Sequence, residues 1–300
     1  MFDLIILGAG PAGITAGIYA ERKKMNFLVI TGDVGGQTNW TRNIENYTGF
    51  HIISGGDLVK RFREHLVKYN VEVKEGELAT GLKKEGDVIT VITGKGRYET
   101  KTLIIATGMA HKKLGVPGED RLIGKGVAYC ATCDAPVYSG VDVAVVGGGN
   151  SALDAVLQLI NIARQIYLID VEPALRADPV MVKKAKESDK VTIFHDAAVK
   201  EIRGEKFVNG MRIEQNGRLR ELNVEGIFVE VGWKPAADFV GELVARGRHG
   251  EIFVNCGSET DVPGIFAAGD VSSVPAKQII VAAGEGAKAA LAAYNYLERK

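Results

Sequence analysis

The chain has 300 residues, 46% of them hydrophobic, with 37 Lys and Arg balanced by 37 Asp and Glu. That length suggests about two domains, each able to bury its own core, and the even charge gives no footing for nucleic acid or an anionic membrane surface. No apolar run approaches the ~20 residues of a membrane helix.

The start, Met1-Phe2-Asp3-Leu4, lacks a basic leader region and runs straight into a strand pattern. With only three cysteines, the expectation is a cytoplasmic protein whose thiols sit in reducing surroundings. Leu4–Leu7 reads as a strand buried on both faces. Gly8-Ala9-Gly10-Pro11-Ala12-Gly13 follows, and then a helical pattern. Strand, Gly-x-Gly-x-x-Gly, helix is the context in which this motif signals a dinucleotide fold. Gly8 makes the turn, Gly10 admits a pyrophosphate to the backbone, and Gly13 lets helix and strand close up. The free amides of the helix N-terminus would hold the anion.

The second strand, Phe27–Ile30, ends at Thr31, where an acid normally grips the ribose, so a non-standard ribose contact is expected there. A second glycine cluster, Gly32 to Gln37, follows at the strand's carboxyl end. Leu58, Val59, Phe62, Leu66 and Tyr69 predict a core-facing helix over 56–69. Residues 71–101 read as a small strand meander. Leu103–Gly108 returns to a buried strand, and Gly115–Asp120 has the turn composition of a domain crossing.

Cys130-Ala131-Thr132-Cys133-Asp134 comes next. A structural zinc site wants four ligands, and the remaining cysteine, Cys256, is far away; His111 and His195 show no ligand spacing. A structural disulfide fits poorly with the expected reducing compartment. The pair therefore reads as redox-active, one thiol attacking and the other resolving.

The opening pattern then repeats. Val143–Val146 is a buried strand, Gly147-Gly148-Gly149-Asn150-Ser151-Ala152 the turn, and Leu153, Val156, Leu157 and Ile160 one face of a helix. The next strand ends at Asp170, the same distance from Gly147 as Thr31 from Gly8. Residues 191–223 look like a second meander, and Gly226–Gly232 mirrors the strand at 103–108, which marks an internal duplication. Finally, Gly264–Asp270 is an apolar strand ending in a carboxylate. An Ala-rich helix runs from about Ile279 to Leu297, its N-terminal dipole available to a bound ring.

Gly8–Gly13, Gly35-Gly36-Gln37, Glu45-Asn46-Tyr47, Ala106-Thr107-Gly108, Cys130–Asp134, Gly147–Ala152 and Ala268-Gly269-Asp270 together resemble the low-molecular-weight thioredoxin reductase family over essentially the whole chain. The resemblance implies an α/β fold of two Rossmann-like domains, the second inserted into the first. FAD is expected on 1–112 and 245–300, and a nicotinamide nucleotide on 113–244. The flavin contacts it implies are Gly8, Gly10, Pro11, Ala12, Gly13, Thr31, Gly35, Gly36, Gln37, Asn46, Ala106, Thr107, Gly108, Gly269, Asp270, Lys277, Gln278 and Ile279. The nucleotide contacts are Gly147, Gly149, Asn150, Ser151, Ala152, Asp170 and Arg176. It also implies Cys133 against the flavin, Cys130 attacking the partner disulfide, Asp134 as the acid for the departing thiolate, and a homodimer.

One departure matters. NADPH-using members carry His-Arg-Arg where this chain has Asp170-Val171-Glu172, although Arg176 is kept. Asp170 to Asp178, and Val274 to Ile280, are more similar to the NADH-using flavoprotein subunit of alkyl hydroperoxide reductase. That subunit carries an N-terminal thioredoxin-like extension, so here a separate thioredoxin- or glutaredoxin-like protein is expected to take the electrons. The expected function is disulfide reduction from NADH, in preference to NADPH, through FAD and Cys130–Cys133. The alternatives are a reductase fed by a protein donor such as ferredoxin and a non-catalytic FAD-binding sensor. Cys256, Trp40 and Trp233 read as a loop thiol and two packing residues.

Overall fold

The computed structural model describes residues 1–41 and 44–300, apart from the side chains of Trp40, Thr132 and Cys133. The chain forms two compact units, Met1–Ala110 with Lys234–Lys300, and His111–Trp233. The sequence placed the crossings at 112/113 and 244/245. Ala237, Val240 and Val244 pack into the core of the first unit, which accounts for the earlier return.

The first unit opens with β1 (Phe2–Ala9), α1 (Pro11–Arg22), β2 (Phe27–Val34), α2 (Gly55–Lys68), β3 (Val73–Glu75), β4 (Ala79–Glu85), β5 (Val88–Thr93) and β6 (Arg97–Ile105). The sheet order is β3-β2-β1-β6-β5-β4. β1, β2, β3 and β6 run parallel; β4 and β5 are the antiparallel part. Successive residues of β1 serve opposite faces, the alternation a strand imposes. Leu4 and Ile6 pack with α1 and the C-terminal helix, whereas Ile5 and Leu7 pack with β5 and the returning segment.

β7 (Met109–His111) leads into the second unit, which contains α3 (Glu119–Leu122), β8 (Val127–Ala128), α4 (Ala131–Asp134), β9 (Asp142–Val146), α5 (Asn150–Leu159), β10 (Gln165–Ile169), α6 (Pro179–Glu187) and β11 (Val191–Phe194). Then follow β12 (Ala197–Arg203), β13 (Gly210–Gln215), β14 (Arg218–Leu222) and β15 (Gly226–Val229). β11-β10-β9-β15-β8 is a wholly parallel sheet, and β12-β13-β14 a separate antiparallel one. Val143 and Val145 pack towards α5, while Ala144 and Val146 pack on the antiparallel sheet. The chain returns along β16 (Trp233–Pro235) to β17 (Ile265–Ala267), which joins β6 in parallel, and ends in α7 (Ile279–Glu298).

Both expected meanders need one correction. Val73–Glu75 and Val191–Phe194 are the third parallel strands of their sheets, not meander strands. They are short edge strands with no fully buried residue, so they lack the apolar run that announces a central parallel strand. α1 and α7 pack closely, and the contact needs glycine: a Cβ on Gly286 would lie 1.9 Å from the Ala12 carbonyl oxygen.

Candidate functional site

In the first unit a cleft of ≈ 470 Å³ opens at the carboxyl ends of β1, β2, β6 and β17. It is lined by Gly8, Gly10, Pro11 and Ala12 of the glycine turn, by Thr31, Gly36, Gln37, Asn46 and Ala106 to Gly108, and by Gly269, Asp270, Lys277, Gln278 and Ile279. Gly13 and Gly35 are not in the lining; both pack internally. A Cβ on Gly13 would lie 1.8 Å from the Gly8 carbonyl oxygen, and one on Gly35 2.6 Å from Val59. Gly10 has open space where its Cβ would be. That opening lies at the amino end of α1, which carries no side-chain cap, and leaves room for an anion on its amides.

Thr31 does not offer a free hydroxyl. Its Oγ1 accepts the Ala9 N–H at 3.1 Å and donates to the Asp33 carbonyl at 2.6 Å, bracing the glycine turn. Asp33, two positions on, is exposed and lines the cleft. Gln37 donates to the Met109 carbonyl, and Asn46 to Gln278 Oε1. Thr107 donates to the Ala236 carbonyl, fixing the loop after β6.

At the opposite wall Glu285 is buried in α7. Its Oε2 accepts the Gly269 N–H at 2.9 Å, and Ser272 Oγ lies at 3.4 Å. This buried carboxylate holds the turn that presents Asp270. Burial raises the Asp270 pKa, with Lys277 opposing. Burial lowers that of Lys277, with Asp270 and Glu285 opposing. Desolvation outweighs attraction for both groups. Gln278 caps α7 through its backbone, with no side-chain cap, so a second helix dipole points into the same cleft. The cleft residues therefore fit an extended ligand with a pyrophosphate and an electron-rich ring.

The second unit repeats the turn. Gly147, φ +133°, would place a Cβ 2.3 Å from the Glu230 carbonyl oxygen, as Gly8 would against Ala106 at 2.4 Å. Gly149, like Gly10, faces open space. Ala152 stands at the packing position and is fully buried. Asn150 and Ser151 open α5; Asn150 Oδ1 accepts the Asp178 N–H at 2.8 Å and so serves the loop beyond β10. The Arg176 N–H donates to the Gly148 carbonyl, while its guanidinium lies 3.8 Å from Glu172, both exposed. Asp170 is 2% exposed, and among the described residues its Oδ2 has no hydrogen-bond partner.

Cys130 follows β8 and immediately precedes α4, and it is disulfide-bonded. The Asp134 N–H closes the turn on the Cys130 carbonyl at 3.1 Å. The side chain of Cys133, expected against the flavin, lies outside the described residues, as does that of Trp40. Burial raises the Asp134 pKa. Tyr129, next to Cys130, donates to buried Glu119 at 2.7 Å, and Glu119 also accepts the Leu114 and Gly115 amides. His111 stacks on Trp233 with ring centroids 3.6 Å apart, and burial lowers its pKa to about 4. Cys256 is an exposed thiol. Among the described residues no His, Cys, Asp or Glu group is placed to hold a metal, and no helix is long and apolar enough to cross a membrane.

Sequence reasoning did not single out Asp33, Glu119, Glu230 or Glu285. The available signal for Glu230 and Glu285 was a carboxylate inside an apolar or Ala-Gly run.

The fold and its paired glycine turns define an α/β protein with two dinucleotide-binding-type units, one inserted in the other. Residues 2–286 match the family model described as pyridine nucleotide-disulphide oxidoreductase, and the chain belongs to that family. It is 39% identical over 301 residues to a protein of Staphylococcus aureus, the F component of alkyl hydroperoxide reductase; the match covers 99% of this chain and 59% of that relative. Among solved structures it is similar to thioredoxin reductase of Lactococcus lactis, with 35% identity and a TM-score of 0.82 over 100% of both chains. It is also similar to that of T. acidophilum, with 35% identity and a TM-score of 0.77 over 98% of each.

Proposed function

We propose that the chain is a flavin-dependent disulfide reductase that draws on NADH and delivers electrons through Cys130 and Cys133 to a small thioredoxin- or glutaredoxin-like protein disulfide. The observation that carries the reading is the pairing, in one chain, of two open glycine turns with a disulfide-bonded Cys130 beside a half-buried acid, Asp134. FAD, when bound, supplies the two-electron chemistry between nucleotide and disulfide. The α1 amides would hold its pyrophosphate, and Asp270, Lys277 and the start of α7 would face its polar groups. Asp170 would take the free ribose hydroxyls of NADH; a buried carboxylate whose Oδ2 has no partner among the described residues suits a donor and opposes a phosphate. Reduced Cys130 attacks the partner disulfide as thiolate, the partner's first sulfur leaves, and Asp134 gives it a proton. Cys133 then displaces the second sulfur and restores the disulfide.

The test is anaerobic titration of the purified yellow protein with NADH, NADPH and reduced ferredoxin, followed by addition of an oxidised thioredoxin. Bleaching by NADH and reoxidation by the disulfide protein is expected. Bleaching by ferredoxin alone would replace the nucleotide reading, and the absence of disulfide turnover with every donor would leave a sensor.

A further inference from the structure

The segment from Asp170 to Asp178 joins β10 to α6 without regular structure of its own, yet it is tied down at both ends. At its start, the Asp170 N–H donates to the Phe194 carbonyl and the Asp170 carbonyl accepts the Ala197 N–H, at 2.9 and 3.0 Å. The Asp196 N–H reaches the Glu172 carbonyl at 3.2 Å. At its far end, the Arg176 N–H donates to the Gly148 carbonyl and the Asp178 N–H to Asn150 Oδ1, each at 2.8 Å. These last two bonds fold the segment back over the second glycine turn, so Asp170, Glu172 and Arg176 ride on a closed loop. Of the two, only the second depends on a side chain. Asn150 opens α5, where its oxygen, an acceptor, has nothing to offer a pyrophosphate, which needs donors. The bond to Asp178 is the use this atom has.

We propose that Asn150 is a positioning residue for nucleotide selection: its Oδ1 latches the 170–178 loop onto the glycine turn and so fixes where Asp170, Glu172 and Arg176 meet the ribose 2′ position. The inference rests on the nucleotide reading given above. With the latch closed, the Arg176 guanidinium is kept 3.8 Å from Glu172, and Asp170 stays against Gly148. With it open, the far end of the loop is held to the turn by the Arg176–Gly148 bond alone. Arg176 then gains freedom to turn from Glu172 towards a 2′-phosphate, and the loop loses its discrimination. The latch is exposed, so its loss should change selection by a few-fold rather than by orders of magnitude.

The test is isothermal titration calorimetry of the oxidised holoenzyme with ADP-ribose and with 2′-phospho-ADP-ribose, probes without nicotinamide that differ only at the 2′ position. Wild type should bind ADP-ribose about tenfold more tightly. Asn150→Ala should bring that ratio down about threefold or more. Asn150→Asp keeps an acceptor for the Asp178 N–H; its added charge should weaken both probes and leave the ratio at or above the wild-type value. If Asn150 served the pyrophosphate alone, both probes would weaken equally in Asn150→Ala, and an unchanged ratio there overturns the proposal. The donor side gives a second measurement that does not depend on how Asn150→Ala folds. Asp178 has a φ of −51°, which proline accepts, so Asp178→Pro deletes the N–H. It also deletes the Oδ1 cap on the Val180 N–H, which Asp178→Ala loses by itself. The ratio should fall in Asp178→Pro and hold in Asp178→Ala, and equal ratios in the two overturn the proposal. A wild type that binds neither probe, or prefers the 2′-phosphate, defeats the nucleotide reading itself and this inference with it.

Discussion

A Cβ on Gly148 would lie 1.7 Å from Asp170 Oδ2, so the acid that follows β10 rests directly on the backbone of the second glycine turn. Position 148 must stay glycine for Asp170 to face that turn. Asp170 and Gly148 thus form one device, a carboxylate held against the glycine turn, which the proposed function assigns to a nucleotide ribose.

The first prediction follows from its charge. Like charges about 4 Å apart at an effective dielectric of ~20 repel by roughly 4 kcal/mol. Solvent around a 2′-phosphate reduces this to about 1–2 kcal/mol, roughly tenfold in affinity. Arg176 offsets little, because Glu172 already neighbours it. NADH should reduce the flavin several-fold more efficiently than NADPH in steady-state kinetics. Replacing Asp170, Val171 and Glu172 by His, Arg and Arg should shift the preference to NADPH. Gly148→Ala should displace Asp170, weaken NADH about tenfold and destabilise the fold by about 1–3 kcal/mol. A wild-type preference for NADPH would sink the charge argument.

The parts of this arrangement that local chemistry dictates were legible in the sequence. Gly8 and Gly147 adopt positive φ against the carbonyl just past a neighbouring strand, Ala106 after β6 and Glu230 after β15, a geometry that glycine after an apolar run announces. The Ala-rich α7 and the amphipathic α2 were equally plain. What stayed hidden depends on partners distant in sequence. Val73–Glu75 and Val191–Phe194 are strands because a neighbour pairs with them, not because their own pattern says so. Thr31 reads as a gap in a ribose grip until the Ala9 amide is seen on its hydroxyl. Glu285 in an Ala-Gly helix becomes a functional candidate only once the Gly269 amide is seen to donate to it.

Asp134 gives the second prediction. Burial raises its pKa, so it keeps its proton further up the pH scale than a free aspartate. A step that needs it as an acid is fully supported below that raised value and weakens as pH rises through it. Asp134→Asn should slow disulfide turnover by about 10²-fold or more, while flavin reduction by NADH stays near wild type. Stopped-flow measurement of the two half-reactions checks this split; an equal loss in both would assign Asp134 a structural role instead.

The third concerns the wall formed by α7. Glu285→Ala strips the Gly269 amide of its buried acceptor and should cost about 1–3 kcal/mol, with FAD affinity falling about tenfold as the Asp270 turn loosens. Asp270 itself behaves in the opposite way. Its pKa is raised above the ordinary 3.8 by burial, so the folded chain binds its proton more tightly than the unfolded one. Stability therefore declines as pH rises from the unfolded value through the folded value. Asp270→Asn should raise the Tm of the FAD-free protein near neutral pH, a gain that disappears as the pH approaches 4, while weakening FAD binding. Thermal melts with and without added FAD across this range give both readouts.

The last prediction separates the two cysteines. Cys130 immediately precedes α4, in a turn closed by the Asp134 amide. If Cys130 attacks the partner and Cys133 resolves, Cys133→Ser leaves the attacking thiolate but removes the sulfur that would release the product. A mixed disulfide through Cys130 should then accumulate with an oxidised thioredoxin-type protein. It would be visible as a band on non-reducing gels that reductant abolishes and that mass spectrometry maps to the 126–164 tryptic peptide. Cys130→Ser should accumulate no such adduct, and both variants should lose disulfide turnover by at least about 10³-fold, because exchange needs both sulfurs. Cys256→Ser should behave as wild type, since that thiol lies exposed on a loop. An adduct formed by Cys130→Ser and absent from Cys133→Ser would reverse the two roles.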